Sequence, residues 1–426
     1  MTAGTGPRRP YDRGVELRRR RVGRRTVLCA AVAALTLPGL AGCGSTGEHA
    51  PGTAGVQRML DRRAAAVRER DETTFLATVD RDATALRARQ RKVFGNLAQV
   101  PLASWEYRVR GTGGFTPAAG GGKRLAVRAD LRYRLAGYDT APVTVERELT
   151  LAERGGRWYV AAEESGGDQL WDQGPVTVVR GAHSLVMGVG QDRARLRALA
   201  DDADRAVPAV DAAWRGAWAH RVVIELPASL ERMAGLLSAP AASYSGIAAV
   251  TTGEVGGAGA APADRVIVNP EAYGTLGTLG RQVVLTHETA HVATRPYTSS
   301  ATPLWLSEGF ADWAGYRATD RTAREAAPEL AHAVARGQLP ARLPADADFG
   351  FTGEARRLAR AYEEGWLACR MIADKWGDAK LVELYRAVGA ARQRDGALDA
   401  ALHDVLGLDT AEFTARWRSY TKAELG

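Results

Sequence analysis

Residues 283–297 read VVLTHETAHVATRPY and hold two of the seven histidines of the chain, His287 and His291, with Glu288 directly after the first. Four residues is just over one helical turn, so on a helix both imidazoles point to one side. That side can hold one Zn2+, with nitrogen ligands about 2.0–2.1 Å away. Glu288 is rotated by one position. It is poorly placed to be a third ligand, but it can take the proton of a water that zinc acidifies as that water attacks a carbonyl. The stretch also has helix ends. A glycine-rich turn precedes it, Arg281 to Leu285 adds an apolar stripe, and Pro296 stops it. The bland alternative is a surface or core helix whose histidines are satisfied by ordinary hydrogen bonds.

A zinc site needs a third protein ligand. An extended HExxHxxGxxH site would place glycine at 294 and histidine at 297, but the chain has Thr294 and Tyr297. That arrangement is excluded, and PLWLSEGFADW, residues 303–313, lies just downstream, where Thr302 reads as a helix N-cap and Pro303 as the first helical residue. This helix carries Glu308 and, one turn on, Asp312. Trp305, Phe310 and Trp313 read as its core packing.

HExxH followed by a helix bearing WLSEGFADW resembles the gluzincin metallopeptidases, the group of thermolysin and the aminopeptidase N and leukotriene-hydrolase branch. The resemblance implies one zinc ion per chain held by His287, His291 and Glu308, with Glu288 as general base. It also implies that Asp312 orients His287 through its second ring nitrogen. The spacing from His291 to Glu308 is slightly shorter than is usual there, which a shorter connection between the helices would absorb. Further on, Tyr362-Glu363-Glu364-Gly365 is similar to a Tyr-Glu-Lys-Gly stretch of the aminopeptidase branch. By that likeness Tyr362 would donate a hydrogen bond to the oxyanion. The alternative for Tyr362 is a core tyrosine spaced with Trp366 and Cys369. Peptide substrates of this group lie along an edge strand, which corresponds here to Ile247, Ala248, Ala249 and Val250. The Gly-Ala-Met-Glu-Asn stretch that recognises a free substrate amine is absent, and Glu254 is only a weak substitute for its glutamate. Aminopeptidase specificity is therefore not supported.

The rest of the chain sets the frame. Its formal charge of +8 sits almost entirely at the N-terminus, where residues 1–43 hold nine arginines against Asp12 and Glu16, a net of +7. The nearly neutral remainder offers no basic face for nucleic acid. An apolar run from Val27 to Leu40 follows the arginines and ends in LAGC, residues 40–43, which resembles a bacterial lipobox. The expectation is a signal peptide over residues 1–43, lipidation of Cys43, and anchorage to the outer face of the cytoplasmic membrane. Arg24 and Arg25 leave Sec and Tat export both open. Cys369 then has no partner and reads as a buried core thiol.

Residues 44–55 have tether composition. Residues 56–164 read as helices followed by a meander of alternating strands, resembling the nuclear-transport-factor-2-like cone fold. Residues 165–175 read as a linker, and 176–426 as the peptidase-like part. The expected fold class is α+β in two domains. The first has helices and a curved antiparallel sheet. The second has a mixed sheet, the HExxH helix and a mainly helical C-terminal lobe. The leading functional reading is a cell-envelope zinc metallopeptidase acting on a peptide or protein. An envelope binding or scaffold lipoprotein with a structural or vestigial metal site, and a zinc hydrolase of a non-peptide amide or ester, stand beside it.

Overall fold

The computed structural model describes residues 53–165, 167–252, 263–350 and 355–426. The expected signal peptide, Cys43 and Glu254 lie outside the described residues. So does the expected tether as far as residue 52, whereas residues 53–55 already belong to the first helix.

Three helices open the fold: α1 (Thr53–Arg68), α2 (Glu72–Ala77) and α3 (Thr84–Asn96). The continuous helical text breaks at Arg70, whose φ of 60° is left-handed. Its guanidinium donates to the carbonyls of Leu97 and Val100, each at 2.8 Å, and Asp71 caps the new helix by accepting from the Thr74 amide. Four antiparallel strands follow in simple order: β1 (Leu102–Thr112), β2 (Arg124–Leu135), β3 (Val143–Arg154) and β4 (Arg157–Ser165). Register shifts in β1 and between Thr150 and Leu151 bend this sheet. Its concave alternation buries Trp105, Tyr107, Leu131 and Tyr133 against Val56, Leu60 and Val67 of α1.

Residues 167–175 contain a short helix, α4 (Leu170–Gln173), whose Trp171 is buried against Trp105 and Tyr133. The second sheet is mixed, in the order β5-β6-β7-β9-β8. Its strands are β5 (Val176–Arg180), β6 (Ser184–Val189), β7 (Val222–Leu226), β8 (Ala249–Thr251) and β9 (Val266–Val268). The outer pairs are antiparallel and the inner pairs parallel. The crossover from β6 to β7 is α5 (Arg193–Ala213); α6 (Leu230–Leu236) and α7 (Pro270–Gly274) flank β8 and β9.

The two sheets share one apolar core, in which Val176, Val178, Leu185 and Met187 join the residues of the first sheet. A buried ion pair also spans them: Asp139, just past β2, takes both Arg265 guanidinium nitrogens at 2.8 Å. Removing one partner of such a pair costs ~3–5 kcal/mol.

The remainder is helical: α8 (Thr278–Thr294), α9 (Leu304–Tyr316), α10 (Ala323–Ala326), α11 (Pro328–Ala335), α12 (Ala355–Trp376), α13 (Asp378–Ala390), α14 (Ala397–Leu406) and α15 (Thr410–Leu425). The fold class expected from the sequence is the one observed. One long apolar core fills the C-terminal lobe, including Trp305, Phe310, Trp366, Leu367, Tyr385 and Trp417. Each such side chain contributes ~1.5–3 kcal/mol by leaving water. Cys369 lies fully buried within it, and burial pushes its thiol pKa well up.

Candidate metal centre

Helix α8 supplies His287, Glu288 and His291, all buried. It packs against α5, α9 and β8, so its polar face is enclosed by protein. The Nε2 atoms of His287 and His291 lie 3.0 Å apart. Glu308 comes from α9, and its Oε2 is 3.4 Å from each of them. Asp312, one turn further along α9, places Oδ1 2.7 Å from His287 Nδ1. That contact commits the Nδ1 proton and turns the Nε2 lone pair towards Glu308.

The start of α9 differs from the expectation. Pro303 is the N-cap and Leu304 the first helical residue. Thr302 instead accepts a hydrogen bond from the Ser299 amide, and the Leu304 amide donates to Asp346 Oδ1 at 3.0 Å. A distant carboxylate does what a cap residue would do, so local spacing misplaced the boundary by one residue.

Helix α12 brings Tyr362 to the same region. Its ring centroid is 6.3 Å from that of His287 and 5.2 Å from that of Phe349. Glu363, on a neighbouring face, accepts from the Glu329 and Leu330 amides and so caps α11. Burial is the main cause that pushes its carboxyl up to about 7. Glu364 is likewise raised to about 7 by burial, against the opposing pull of Arg360.

The expected substrate strand is shifted. Strand β8 covers Ala249–Thr251, while Ile247 and Ala248 precede it and are tied by hydrogen bonds to Asn269. The turn around Tyr244–Ile247 uses the backbone groups that an earlier start of the strand would need. Strand β8 ends its sheet and pairs only with β9 among the described strands.

The shift exposes a residue that sequence reading missed. Thr251 Oγ1 lies 2.6 Å from Glu288 Oε2 and 3.1 Å from the Glu288 carbonyl. It ties the side chain of Glu288 to the end of β8. The next residue, Thr252, exchanges backbone and side-chain hydrogen bonds with Arg265. Arg295, just past α8, donates to the Thr252 carbonyl at 3.0 Å and to Asp264 at 3.1 Å. Burial, opposed by Arg295, raises the Asp264 carboxyl to about 6. A polar residue directly after the expected strand was the available signal for Thr251. Its partner lies 37 positions away, beyond any local pattern.

His287, His291 and Glu308 form a group whose ligand atoms all lie within 4.8 Å of one another. Glu308 Oε2 is buried and makes no hydrogen bond among the described residues. A bare buried carboxylate oxygen facing two ring nitrogens is costly without a cation. Two imidazoles and one carboxylate are also the donor count and type of a catalytic zinc site. The residues fit zinc.

No family model matches this chain, and no curated protein matches it in sequence. Among solved structures it is similar to a glutamate-to-alanine mutant of the M1 zinc metallopeptidase from Deinococcus radiodurans. The identity is 14%, the match covers 75% of this chain and 84% of the other, and the TM-score is 0.30.

Proposed function

We propose that this chain is a zinc-dependent metallopeptidase of the bacterial cell envelope. One observation carries the reading: His287, His291 and Glu308 converge while Glu288, on the same helix, holds a carboxylate beside them. Zinc bound by those three residues supplies Lewis acidity, polarising a carbonyl and acidifying water.

The chain's own residues supply the rest. Glu288 accepts the proton of the attacking water and later delivers it to the leaving amine. Thr251 holds that carboxylate in one orientation, because its hydroxyl is fixed at the end of β8. Asp312 fixes the tautomer and ring direction of His287. Tyr362 donates a hydrogen bond to the oxygen on which charge develops. A substrate backbone pairs along β8, with Ala249 and Val250 as its nearest neighbours. The run ending in Leu40-Ala41-Gly42-Cys43 supports export and lipid anchorage at Cys43.

The test is the zinc content of the purified chain by elemental mass spectrometry, beside His287→Ala, Glu308→Ala and Glu288→Gln, with hydrolysis of a mixed peptide library. The reading expects about one zinc per chain, lost in the first two variants and kept in the third, with hydrolysis abolished in all three. No zinc after purification without chelator, and none taken up on addition, would sink it and leave a binding protein. Zinc with hydrolysis of esters but of no peptide would move the assignment to another class of amide or ester.

A further inference from the structure

A second site lies on the other side of α12. A cavity of about 430 Å³ opens between α11 and α12, lined by Glu329, His332, Arg336, Arg356, Arg357 and Arg360. His332 lies on α11 and Arg336 at its C-cap, and Arg356 and Arg360 lie one turn apart on α12, so the ends of both helices line the same cavity. Glu363 holds them at this spacing by capping α11 from α12. A second cavity, of about 340 Å³, shares Arg357 and Arg360 and continues the space towards Arg342 and Asp348.

At that inner end the arginines already hold carboxylates. Arg342 and Arg357 both bond Asp348, and Arg360 bonds Glu364. At the outer end Arg336 and Arg356 have no acidic partner among the described residues. Both are exposed, and four arginines line the first cavity against one acid, Glu329. The groove is thus lined by guanidinium forks, of which Arg342, Arg357 and Arg360 hold carboxylates while Arg336 and Arg356 face water.

We propose that this groove binds an acidic segment of a peptide, engaging its side-chain carboxylates with Arg336 and Arg356. The occupied forks show the ligand chemistry these arginines accept. The acids within the groove argue against a densely charged phosphate polymer, whose closely spaced anions would meet Glu329, Asp348 and Glu364 as well as the arginines. Arg360 and Tyr362 are two residues apart, about 200° around a helix. The groove is therefore separated from the metal centre by the thickness of α12. It would select or hold substrate at a distance from the chemistry. Calling the bound peptide a substrate rests on the peptidase proposal, but the binding itself does not.

The test uses the full chain carrying Glu288→Gln, so that a probe survives, and a fluorescein-labelled octapeptide alternating glutamate and serine. Anisotropy should show saturable binding at low salt that weakens as salt rises. The double substitution Arg336→Ala with Arg356→Ala should weaken it by ten-fold or more, and charge reversal at both positions should abolish it. A further His287→Ala change should leave it intact. Equal binding by the double variant with an unchanged melting temperature would overturn the proposal. So would loss of binding with His287→Ala, or inorganic polyphosphate displacing the peptide at far lower charge concentration. None of these readings requires hydrolysis, so a failed peptidase assay and a failed groove are separate results.

Discussion

Gly309 of α9 and Gly365 of α12 cross with their backbones in direct apposition. A methyl group on Gly309 would collide with the Gly365 carbonyl, and one on Gly365 would sit 2.7 Å from the Trp305 carbonyl oxygen. Glu308 immediately precedes the first glycine, and Tyr362 stands three residues before the second. The crossing therefore sets the spacing between the Glu308 carboxylate and the tyrosine proposed to face the substrate. Gly309→Ala and Gly365→Ala should each cost ~1–3 kcal/mol through overpacking. Thermal unfolding checks this, and an unchanged midpoint in both would mean the helices separate freely at this point.

Asp312 touches His287 and no other residue of the His-His-Glu group. Asp312→Asn keeps the size but can present an amide nitrogen to the ring, which upsets the tautomer. Zinc affinity should fall by about 10–100-fold. Competition with a chromophoric chelator measures it directly. Wild-type affinity in Asp312→Asn would mean that the contact with His287 does not tune metal binding.

Much of this is legible in the sequence itself. The HExxH helix followed from a period of four residues and from its flanking glycine and proline, all local signals. Asp312 could be assigned to His287 only through resemblance, because the two are 25 positions apart. The N-cap of α9 and the start of β8 were misplaced by a residue or two, since Asp346 and Asn269 satisfy backbone groups that local reading gave to Thr302 and to strand pairing. Gly309 and Gly365 stood in plain view inside the quoted motifs. Neither spacing nor composition says that two helical glycines 56 positions apart will meet. The arginines that line the groove carry no local pattern that joins them, because they come from two helices that Glu363 ties together.

Thr251 offers a test of how Glu288 is held. Thr251→Val keeps the shape and removes the hydroxyl, and Thr251→Ser restores it. Under the peptidase reading, the valine variant should lose about 10-fold or more in kcat with KM and zinc content little changed, because the carboxylate is bound but no longer aimed. The serine variant should recover most of that loss. Steady-state kinetics on a cleaved peptide decides it. Equal activity in the valine and wild-type proteins would show that Thr251 does not aim Glu288.

Glu363 and Glu364 give the fold a particular response to pH. Both carboxyls are raised to about 7, chiefly by burial. Between about 4.5 and 7 the native state keeps these protons while the unfolded chain releases them. The unfolded state then binds fewer protons, so stability contributed by these groups declines as pH rises through that window and levels off above it. Salt-bridged surface carboxylates of depressed pKa, such as Asp348, change in the opposite sense and at lower pH. The combined substitution Glu363→Gln and Glu364→Gln isolates the effect, since contributions common to both proteins cancel in the difference. Glutamine at 363 still offers an oxygen to the Leu330 amide and loses the Glu329 bond, a change that does not vary with pH. Urea unfolding at pH 5, 6 and 7 should show the variant gaining stability relative to wild type as pH rises. A difference that stays constant across the three values would mean that both carboxylates ionise in the native state as they do in water.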